Sequence, residues 1–320
     1  MKIRLAQINP TVGDLKGNTD LIINTIRSSS EYDIIVFPEL SLTGYPPQDL
    51  LLDSNFIDET KQKLDLIRKT IENQVVIIGY PRQRKGRLFN SAAVISKGDI
   101  VGHHDKILLP TYDVFDEKRY FYPSDSISPI KVQIGESSIS MGIQICEDLW
   151  DDDYEDNITE TLVEKGAEMI INISASPYRK KIIDKRLKLC IDRSHHLKYY
   201  FIYCNLVGAQ DELVFDGRSF IVNSGGDLEC MGSAFESDMI DFDSDKSISF
   251  NKKSIDESEE LFMALSLGVR DYFRKSKFSK AVIGLSGGID SSLTAAIAAN
   301  AIGPDNVIGI SMPSDFSSEH

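Results

Sequence analysis

The sequence has few of the residues that mark several large protein classes. It contains only four cysteines in 320 residues, Cys146, Cys190, Cys204 and Cys230, and no two of them form a C-x-x-C pair. Neither a zinc cluster nor a disulfide framework is therefore indicated. Lysine and arginine number 35 against 49 acidic residues, which gives a net charge of −14. This charge disfavours nucleic acid and anionic membranes as partners, because both require clustered positive charge.

Long apolar segments are also absent. No run approaches the roughly 18 residues that span a membrane. The N-terminal segment 1–7 is typical of a strand and has no signal-peptide core. Together with the scattered cysteines, this pattern predicts a cytoplasmic protein in a reducing compartment. The length is sufficient for about two domains with a large core.

Strand-like and helix-like segments alternate from the first residue, which predicts an α/β domain of roughly 240 residues. Asn18 is predicted to cap the first helix. Turns at Gly98 and Gly226 indicate antiparallel pairs among the helix-linked strands. The strand candidates are 3–8, 34–37, 75–79, 91–95, 139–146, 169–173, 201–205 and 220–223, and later helices are expected near 157–165 and 181–198.

An acidic segment, 236–260, has nine acidic residues against three lysines and is predicted to be a linker. At its end, Ser254 and Glu257 form a capping box that predicts a helix start. We therefore expect a first domain over 1–245 and a second over 246–320. The predicted apolar face of the second domain's first helix consists of Leu261, Leu265, Val269 and Tyr272.

Residues 281–292 run from an apolar strand through a Ser-Gly-Gly turn into a helix. Glycines let an anion approach the backbone, and the helix N-terminus directs unpaired N–H groups to the same place, so the segment is predicted to cradle phosphate. The Gly-Lys-Ser/Thr ending of a Walker A loop is missing, which disfavours γ-phosphate transfer through that lysine. The alternative is a strand–turn–helix with an ordinary Ser or Asp cap.

This segment resembles the Ser-Gly-Gly-x-Asp-Ser loop of the ATP pyrophosphatases, which cleave ATP to AMP and pyrophosphate. The resemblance implies a doubly wound (Rossmann-like) domain that uses ATP with Mg²⁺, and Asp290 is a candidate magnesium ligand. Such a sheet needs about five strand units, and two are visible before His320, so we expect the second domain to be incomplete. The implied ATP-binding residues are Ser286, Gly287, Gly288, Asp290, Ser291 and Ser292.

Three reactive side chains stand next to predicted strands of the first domain. Glu39 follows the apolar run 34–37, Cys146 ends the run 139–146, and Lys106 precedes another apolar segment. Side chains at the carboxyl ends of strands enter the crevice of an α/β sheet. The three could perform acyl transfer, with Glu39 as base, Cys146 as nucleophile and Lys106 stabilising the oxyanion.

Cys146 also has an ordinary interpretation. A lone cysteine at a strand end is usually a small core residue. Glu147 and Asp148 follow Cys146, and their charges would raise the pKa of the thiol and so demand a counter-charge. Competing thiol chemistry would pair Cys146 with a histidine from His103-His104 or His195-His196, although paired histidines on a polar stretch are typical of a surface.

The motifs around the three residues resemble the Glu-Lys-Cys triad of the nitrilase (carbon–nitrogen hydrolase) superfamily. Glu39 lies in Phe-Pro-Glu-Leu-Ser-Leu-Thr-Gly-Tyr, Lys106 precedes Leu-Leu-Pro, and Cys146 lies in Ile-Cys-Glu-Asp. The resemblance implies a four-layer α-β-β-α sandwich. It also places Glu117 where that superfamily has a second glutamate that orients the site.

The two domains together resemble glutamine-hydrolysing ligases that amidate nicotinic acid adenine dinucleotide, and segments 43–51, 172–177 and 312–320 add local matches. The resemblance implies that Cys146 hydrolyses glutamine to glutamate and ammonia through a thioester. ATP adenylates the dinucleotide, and ammonia then amidates it to give NAD. The implied partners are glutamine, ATP, the dinucleotide and a second copy of the chain. The implied glutamine pocket comprises Tyr45, Trp150, Ser176 and Arg186.

Three other interpretations stay open at this stage. The first is a stand-alone amidase or carbamoylase of the same superfamily, against which the loop 286–292 argues. The second is the glutaminase domain of another amidotransferase. The third is a non-catalytic scaffold that keeps the fold.

Overall fold

The computed structural model describes residues 1–154, 157–246, 250 and 254–312. They fall into two compact units, one drawn from Met1–Val207 and Phe215–Lys252, the other from Gly208–Val214 and Lys253–His320. The second unit therefore includes the tip of a hairpin that the sequence alone places within the first domain. The contiguous boundary at 245/246 stays a prediction.

The first unit contains two open six-stranded sheets and four α-helices among its described residues. The strands, including a hairpin whose tip lies in the second unit, are β1 (Lys2–Gln7), β2 (Ile34–Val36), β3 (Val75–Arg84), β4 (Arg87–Ser96), β5 (Asp99–Asp105), β6 (Ile130–Ile134), β7 (Ser137–Ile145), β8 (Met169–Ser174), β9 (Tyr200–Asn205), β10 (Val207–Gln210), β11 (Leu213–Asp216), β12 (Phe220–Asn223), β13 (Leu228–Met231) and β14 (Asp238–Asp243). The helices are α1 (Leu15–Arg27), α2 (Ser54–Arg68), α3 (Ile158–Glu164) and α4 (Ile182–Ser194).

The two sheets have similar internal order. The first runs β14-β1-β2-β3-β4-β5 and the second β13-β12-β9-β8-β7-β6. In each, three central strands are parallel, β1-β2-β3 and β7-β8-β9, and antiparallel strands flank them. The turns at Gly98 and Gly226 join antiparallel neighbours, as predicted. Because parallel strands end at the same edge, each sheet presents several carboxyl ends together.

The layers follow from which faces of the sheets are apolar. Ile and Val side chains from both sheets meet in one buried cluster, so the sheets pack face to face. The outer face of the first sheet packs against apolar residues of α1 and α2, and that of the second against α3 and α4. The predicted four-layer α-β-β-α sandwich is confirmed.

The start of α1 differs from the prediction. Asp14, not Asn18, is the N-cap, because its carboxylate accepts from the Gly17 N–H at 2.9 Å. Asn18 is buried one turn into the helix, where its amide donates to the carbonyls of Thr11 at 2.8 Å and Leu42 at 3.2 Å. Asn18, although a short polar residue near the helix start, thus binds carbonyl groups outside the helix and does not cap it.

The predicted linker is wrong over its first part. Residues Asp238–Asp243 form β14, which pairs antiparallel with β1 at the sheet edge. Ile240 and Phe242 are buried in the core, while Asp241 between them is exposed. Alternation with period two outweighs the acidic composition, since an edge strand needs only one apolar face.

The second unit contains α5 (Glu257–Lys275), β15 (Ala281–Leu285), α6 (Ile289–Ile302) and β16 (Val307–Ser311), with β15 parallel to β16. Asp256 caps α5, accepting from the N–H groups of Ser258 and Glu259, so the predicted capping box at Ser254 is wrong by two residues. The match segment 313–320 lies outside the described residues.

The predicted apolar face of α5 is also wrong. Leu261, Leu265 and Tyr272 are exposed, whereas the buried stripe includes Leu267 and Asp271. Asp271 is accommodated there because the Ala209 N–H of the hairpin tip donates to its carboxylate at 2.8 Å. No α-helix in the described part of the chain is long and apolar enough to cross a bilayer.

Candidate active site

Glu39 lies just beyond the buried strand β2, and its side chain is fully buried. One carboxylate oxygen, Oε1, accepts from Lys106 Nζ at 2.8 Å and Asn90 Nδ2 at 2.7 Å. The other, Oε2, accepts from the Ala175 N–H at 2.8 Å. Ala175 follows β8 of the second sheet, so the carboxylate links the ends of both sheets.

Gly79 in β3 permits this placement of Glu39. A Cβ atom at Gly79 would lie 2.4 Å from the Leu40 nitrogen and 2.6 Å from the Pro38 carbonyl oxygen. Those are backbone atoms that cannot move aside like the end of a flexible side chain. The glycine therefore lets β3 approach the turn that carries the carboxylate.

Lys106 follows β5, and its ammonium is fully buried between two carboxylates. Its Nζ donates to Glu39 Oε1 and to Glu117 Oε1, each at 2.8 Å. Burial alone lowers the pKa of Lys106, but Glu117 and Glu39 outweigh it and raise this pKa well above its ordinary value. Lys106 is therefore a permanent cation that cannot serve as a base near neutral pH.

Glu117 begins a short 3-10 turn and is buried beside Lys106. Tyr45 Oη donates to its Oε1 at 3.0 Å. Burial raises the pKa of Glu117 to about 7, against the lowering effect of Lys106. The single Lys106 ammonium thus balances the charge of only one of the two carboxylates. A proton on Glu117 can neutralise the other.

We expect Glu117→Gln to reduce the pH dependence of stability. A carboxyl whose folded-state pKa is raised holds its proton in the folded protein while the unfolded chain has lost it, so its contribution to stability declines between about pH 4.5 and 7. Glutamine has no carboxyl group to titrate in this pH range. Urea unfolding at several pH values should show a shallower decline for this variant than for wild type, whereas Glu136→Gln, at an exposed glutamate, should follow wild type. An unchanged slope in Glu117→Gln would contradict the assignment.

Cys146 directly follows β7 and begins the 3-10 turn Cys146–Leu149. Its φ of 43° is in the left-handed region, which a non-glycine residue adopts at a cost of about 1–3 kcal/mol and which is enriched at functional sites. Burial, and then the charge of Glu39, raise the pKa of the Cys146 thiol well above its ordinary value, while Lys106 lowers it. Near neutral pH the group is a thiol, so a base must remove its proton.

The structure thus brings together all four residues assigned to catalysis: Glu39, Lys106, Glu117 and Cys146. Of the predicted glutamine-pocket residues, Tyr45 binds Glu117 directly and Trp150 is half-buried beyond the Cys146 turn. Their roles stay predictions.

The other two pocket residues form a buried unit of their own. Arg186 of α4 is fully buried, and its guanidinium donates to Asp216 Oδ1 at 2.7 Å and to the carbonyl and hydroxyl oxygens of Ser176 at 2.8 and 3.0 Å. Ser176 N in turn donates to Asn205 Oδ1 at 3.0 Å. Arg186 therefore holds the loop after β8, which also supplies the Ala175 N–H to Glu39.

Sequence reasoning missed several residues of the site. Asn90 is one, and its signal was a polar residue inside the apolar strand β4, where burial demands a partner. Glu147 was considered only for its charge, which does raise the pKa of Cys146. Its carboxylate also accepts from Tyr112 Oη at 3.0 Å and Tyr154 Oη at 2.9 Å.

The view of the His103-His104 pair as surface residues is wrong. His104 is buried, and its Nε2 lies 2.9 Å from Asp148 Oδ2. His103 is half-buried near Tyr80, and burial lowers its pKa to about 4. Alternation in β5 sends the two rings to opposite faces of the first sheet, and both faces are covered.

The phosphate-cradle residues of the second unit lie together in the turn after β15 and the first turn of α6. Gly287 has a φ of +80°, which glycine adopts without strain. Ser291 Oγ accepts from the Ser286 N–H at 3.3 Å, and Ser292 Oγ donates to the Gly288 carbonyl at 2.9 Å. Asp290 is exposed in the first turn of α6. Gly288, the N-cap of α6, has no side chain to make a cap hydrogen bond, and the free N–H groups of a helix N-terminus suit an anion.

The carboxylate Asp290 suits Mg²⁺, which prefers oxygen ligands and usually keeps several waters and phosphate oxygens. Within the described ranges, no group of three or more His, Cys, Asp or Glu residues is placed to hold a metal.

A two-sheet sandwich with a buried carboxylate–ammonium–thiol group at its strand ends defines a hydrolase of carbon–nitrogen bonds. The carbon-nitrogen hydrolase family model matches residues 2–249, and the chain belongs to that family. A second family model, NAD synthase, matches residues 261–320.

Particular relatives carry both parts. Glutamine-dependent NAD(+) synthetases from Aquifex aeolicus and Synechocystis sp. are 38% and 40% identical over 100% and 99% of this chain. The chain covers 62% and 60% of those proteins, about three fifths of their length. A solved structure of the glutamine-dependent NAD+ synthetase from Acinetobacter baumannii in complex with ADP superimposes with a TM-score of 0.91 at 33% identity, covering 99% of this chain and 60% of that one.

The first unit alone also matches a shorter enzyme. An amidase from Nesterenkonia sp. AN1 superimposes with a TM-score of 0.65 at 20% identity, covering 76% of this chain and 92% of the amidase. At that identity the likeness shows the fold only. It is consistent with the sandwich being the common element of the two enzymes.

Proposed function

We propose that the first unit hydrolyses glutamine to glutamate and ammonia. The observation that carries this proposal is the Lys106 ammonium held at 2.8 Å by both Glu39 and Glu117, beside the Cys146 turn. A buried cation stabilises negative charge on a carbonyl oxygen, and a neighbouring carboxylate can accept the thiol proton. The relatives' printed name, glutamine-dependent, supports glutamine as the amide.

In the proposed reaction, Glu39 removes the Cys146 proton and the thiolate attacks the amide carbon. The oxyanion of the tetrahedral intermediate is stabilised by the Lys106 ammonium. Proton return from Glu39 to the amide nitrogen releases ammonia and leaves a thioester on Cys146. Glu39 then takes a proton from water as the water oxygen attacks the thioester carbon. When the carbon–sulfur bond breaks, Glu39 returns that proton to the departing sulfur, which releases glutamate and restores the Cys146 thiol.

We further propose that the ammonia amidates nicotinic acid adenine dinucleotide to NAD, with ATP cleaved to AMP and pyrophosphate. The NAD synthase match over 261–320 and the ADP-bound neighbour support this part. Ser286, Gly287, Gly288, Asp290, Ser291 and Ser292 would contact the ATP phosphates. When bound, Mg²⁺ would neutralise charge on those phosphates, with Asp290 as its ligand from this chain. A homo-oligomer in the cytoplasm stays a prediction.

Glutamate release from glutamine tests the first half. The purified chain should release glutamate, and in parallel assays should act poorly on asparagine, simple aliphatic amides and N-carbamoyl amino acids. A preference for an aliphatic amide or a carbamoyl compound would instead favour the stand-alone amidase or carbamoylase. Hydrolysis of none of them by a folded protein would contradict the proposal.

Replacing Asp290 by alanine is expected to weaken Mg²⁺–ATP binding at least tenfold, because one ligand oxygen and one N-terminal helix charge are lost. Asp305→Ala is the matched control, since Asp305 is an exposed aspartate outside the loop and in the same unit. Binding can be measured by calorimetry with and without Mg²⁺. Equal affinities in the two variants would place ATP elsewhere.

A further inference from the structure

Asp148 is a fully buried carboxylate with a complete set of donors. Its Oδ1 accepts from the backbone N–H groups of Ile107 at 3.0 Å and Leu108 at 2.9 Å. Its Oδ2 accepts from the Ile145 N–H at 3.0 Å and lies 2.9 Å from His104 Nε2. Four donors around two oxygens occupy the usual capacity of a carboxylate.

The four donors belong to two chain segments. Three of them come from segment 104–108, which carries Lys106 at its centre. The fourth is the N–H of Ile145, the last residue of β7, which immediately precedes Cys146 and its left-handed backbone. Asp148 is therefore the point at which the lysine segment of the first sheet is tied to the cysteine turn of the second.

We propose that Asp148, with His104 as its side-chain donor, is a positioning residue that fixes the Lys106 ammonium relative to the Cys146 thiol. The inference rests on the proposed glutaminase function for its kinetic consequence, although the contacts themselves do not depend on the substrate. Displacement of a reacting group by about 1 Å can cost about 100-fold in rate. A tie formed by four short hydrogen bonds limits such displacement.

Asparagine cannot replace this carboxylate. Its amide has one acceptor oxygen and an NH₂ group, which would face at least one backbone N–H as donor against donor. If the NH₂ group takes the place of Oδ1, the N–H groups of Ile107 and Leu108 both lose their acceptor. If it takes the place of Oδ2, which faces His104, the Ile145 N–H loses its acceptor. Either orientation loosens one of the two tied segments while leaving the side-chain volume unchanged.

Asp151 provides a matched control. It is also buried, and its Oδ2 accepts from the Ile158 N–H at 2.8 Å and the Thr159 N–H at 3.2 Å, while Arg193 binds its other oxygen. These contacts hold the start of α3 and do not include segment 104–108; Arg193 also donates to the carbonyl of Leu149 at the end of the Cys146 turn. Asp151→Asn therefore imposes a similar loss of backbone acceptors without untying Lys106.

The experiment compares glutamine hydrolysis by Asp148→Asn and Asp151→Asn in the full chain. We expect kcat to fall about 100-fold in Asp148→Asn with KM changed less than about threefold, since the loss lies in the alignment of reacting groups. Asp151→Asn should retain kcat within about threefold, even if its melting temperature falls as far as that of Asp148→Asn. Equal kcat values in the two folded variants would overturn the proposal.

Alkylation of Cys146 by iodoacetamide gives a reading that needs no substrate. Lys106 lowers the pKa of Cys146, whereas Glu39, Glu147 and Glu117 raise it. If Asp148→Asn lets Lys106 move away, the pH midpoint of Cys146 alkylation, followed by mass spectrometry, should rise. If Asp148 acted only through its own negative charge, its removal would lower the midpoint. A midpoint that falls or does not move overturns the proposal.

His104 supplies a second pair of variants if Asp148→Asn does not fold. His104→Phe keeps a ring but removes the donor to Asp148, and should lower kcat about tenfold and raise the alkylation midpoint. His104→Gln keeps an N–H donor and should restore both toward wild type. Identical behaviour of these variants would contradict the positioning role.

Failure of the proposed function can be recognised separately. If wild type does not hydrolyse glutamine, a raised pH midpoint of Cys146 alkylation in Asp148→Asn still supports the positioning of Lys106 by Asp148.

Discussion

Cys146→Ala should reduce glutamate release from glutamine to background, a loss on the order of 10⁶-fold, because the thioester cannot form. The surroundings should change little. Alanine removes one buried sulfur, and the backbone hydrogen bonds of the Cys146 turn, such as that from Trp150 N to the Glu147 carbonyl at 2.8 Å, remain. Coupled enzymatic detection of glutamate at saturating glutamine measures the loss.

Cys190→Ala is the control for this variant. Cys190 is a fully buried free thiol on α4, and it packs in the apolar layer against the second sheet. Burial raises the pKa of this thiol as well. Its removal should cost stability, on the order of 1–2 kcal/mol for a small buried side chain, but leave kcat unchanged. Residual turnover in Cys146→Ala above that of a blank would mean that another residue carries the acyl group, and the proposed mechanism would fail.

The strand ends of the site were predictable from the sequence, because an apolar run that stops at a polar residue marks the edge of a sheet. Glu39 and Cys146 are located in this way, whereas Lys106 is indicated only by the apolar segment that it precedes, and strand β5 before it is not predicted. Their mutual contacts were not predictable, since residues 39, 106 and 146 meet only when two sheets pack face to face. Nothing local to Lys106 indicates that it is shared between two carboxylates.

Two of the wrong predictions have different causes. Acidic composition predicts a linker where β14 lies, but alternate residues of this strand are buried, with Ile240 and Phe242 in the core. In α5 the i, i+4 spacing of apolar residues itself predicts the wrong face, because Leu261 and Leu265 are exposed while Asp271 is buried. A buried polar residue such as Asp271 or His104 is stable only with its partner, and the partner is distant in sequence.

Charge balance predicts that the protein is highly sensitive to substitution of Lys106. Glu39 and Glu117 are both buried, and each carboxylate would cost several kcal/mol in that environment without a cation. Lys106 Nζ donates to both. The same ammonium holds the general base in place and is available to an oxyanion, so structure and catalysis depend on one group.

Lys106→Met should therefore lower both activity and stability. We expect kcat for glutamine hydrolysis to fall on the order of 10³-fold, as for loss of a principal oxyanion stabiliser. The free energy of unfolding should fall by about 3–5 kcal/mol near neutral pH, as when one partner of a buried ion pair is removed. Lys198→Met, which breaks the exposed pair with Glu168 at 2.8 Å, should leave the free energy of unfolding close to that of wild type, because solvent screens such a pair.

The stability loss in Lys106→Met should depend on pH in a defined direction. Lys106 lowers the pKa of Glu117, so its removal raises that pKa further above the present value of about 7. A raised folded-state pKa stabilises the protein at low pH, and that contribution is lost as pH rises through it. The difference between wild type and variant should thus be larger at pH 8 than at pH 5.5. A pH-independent difference in urea unfolding would mean that the two carboxylates do not share this ammonium in solution.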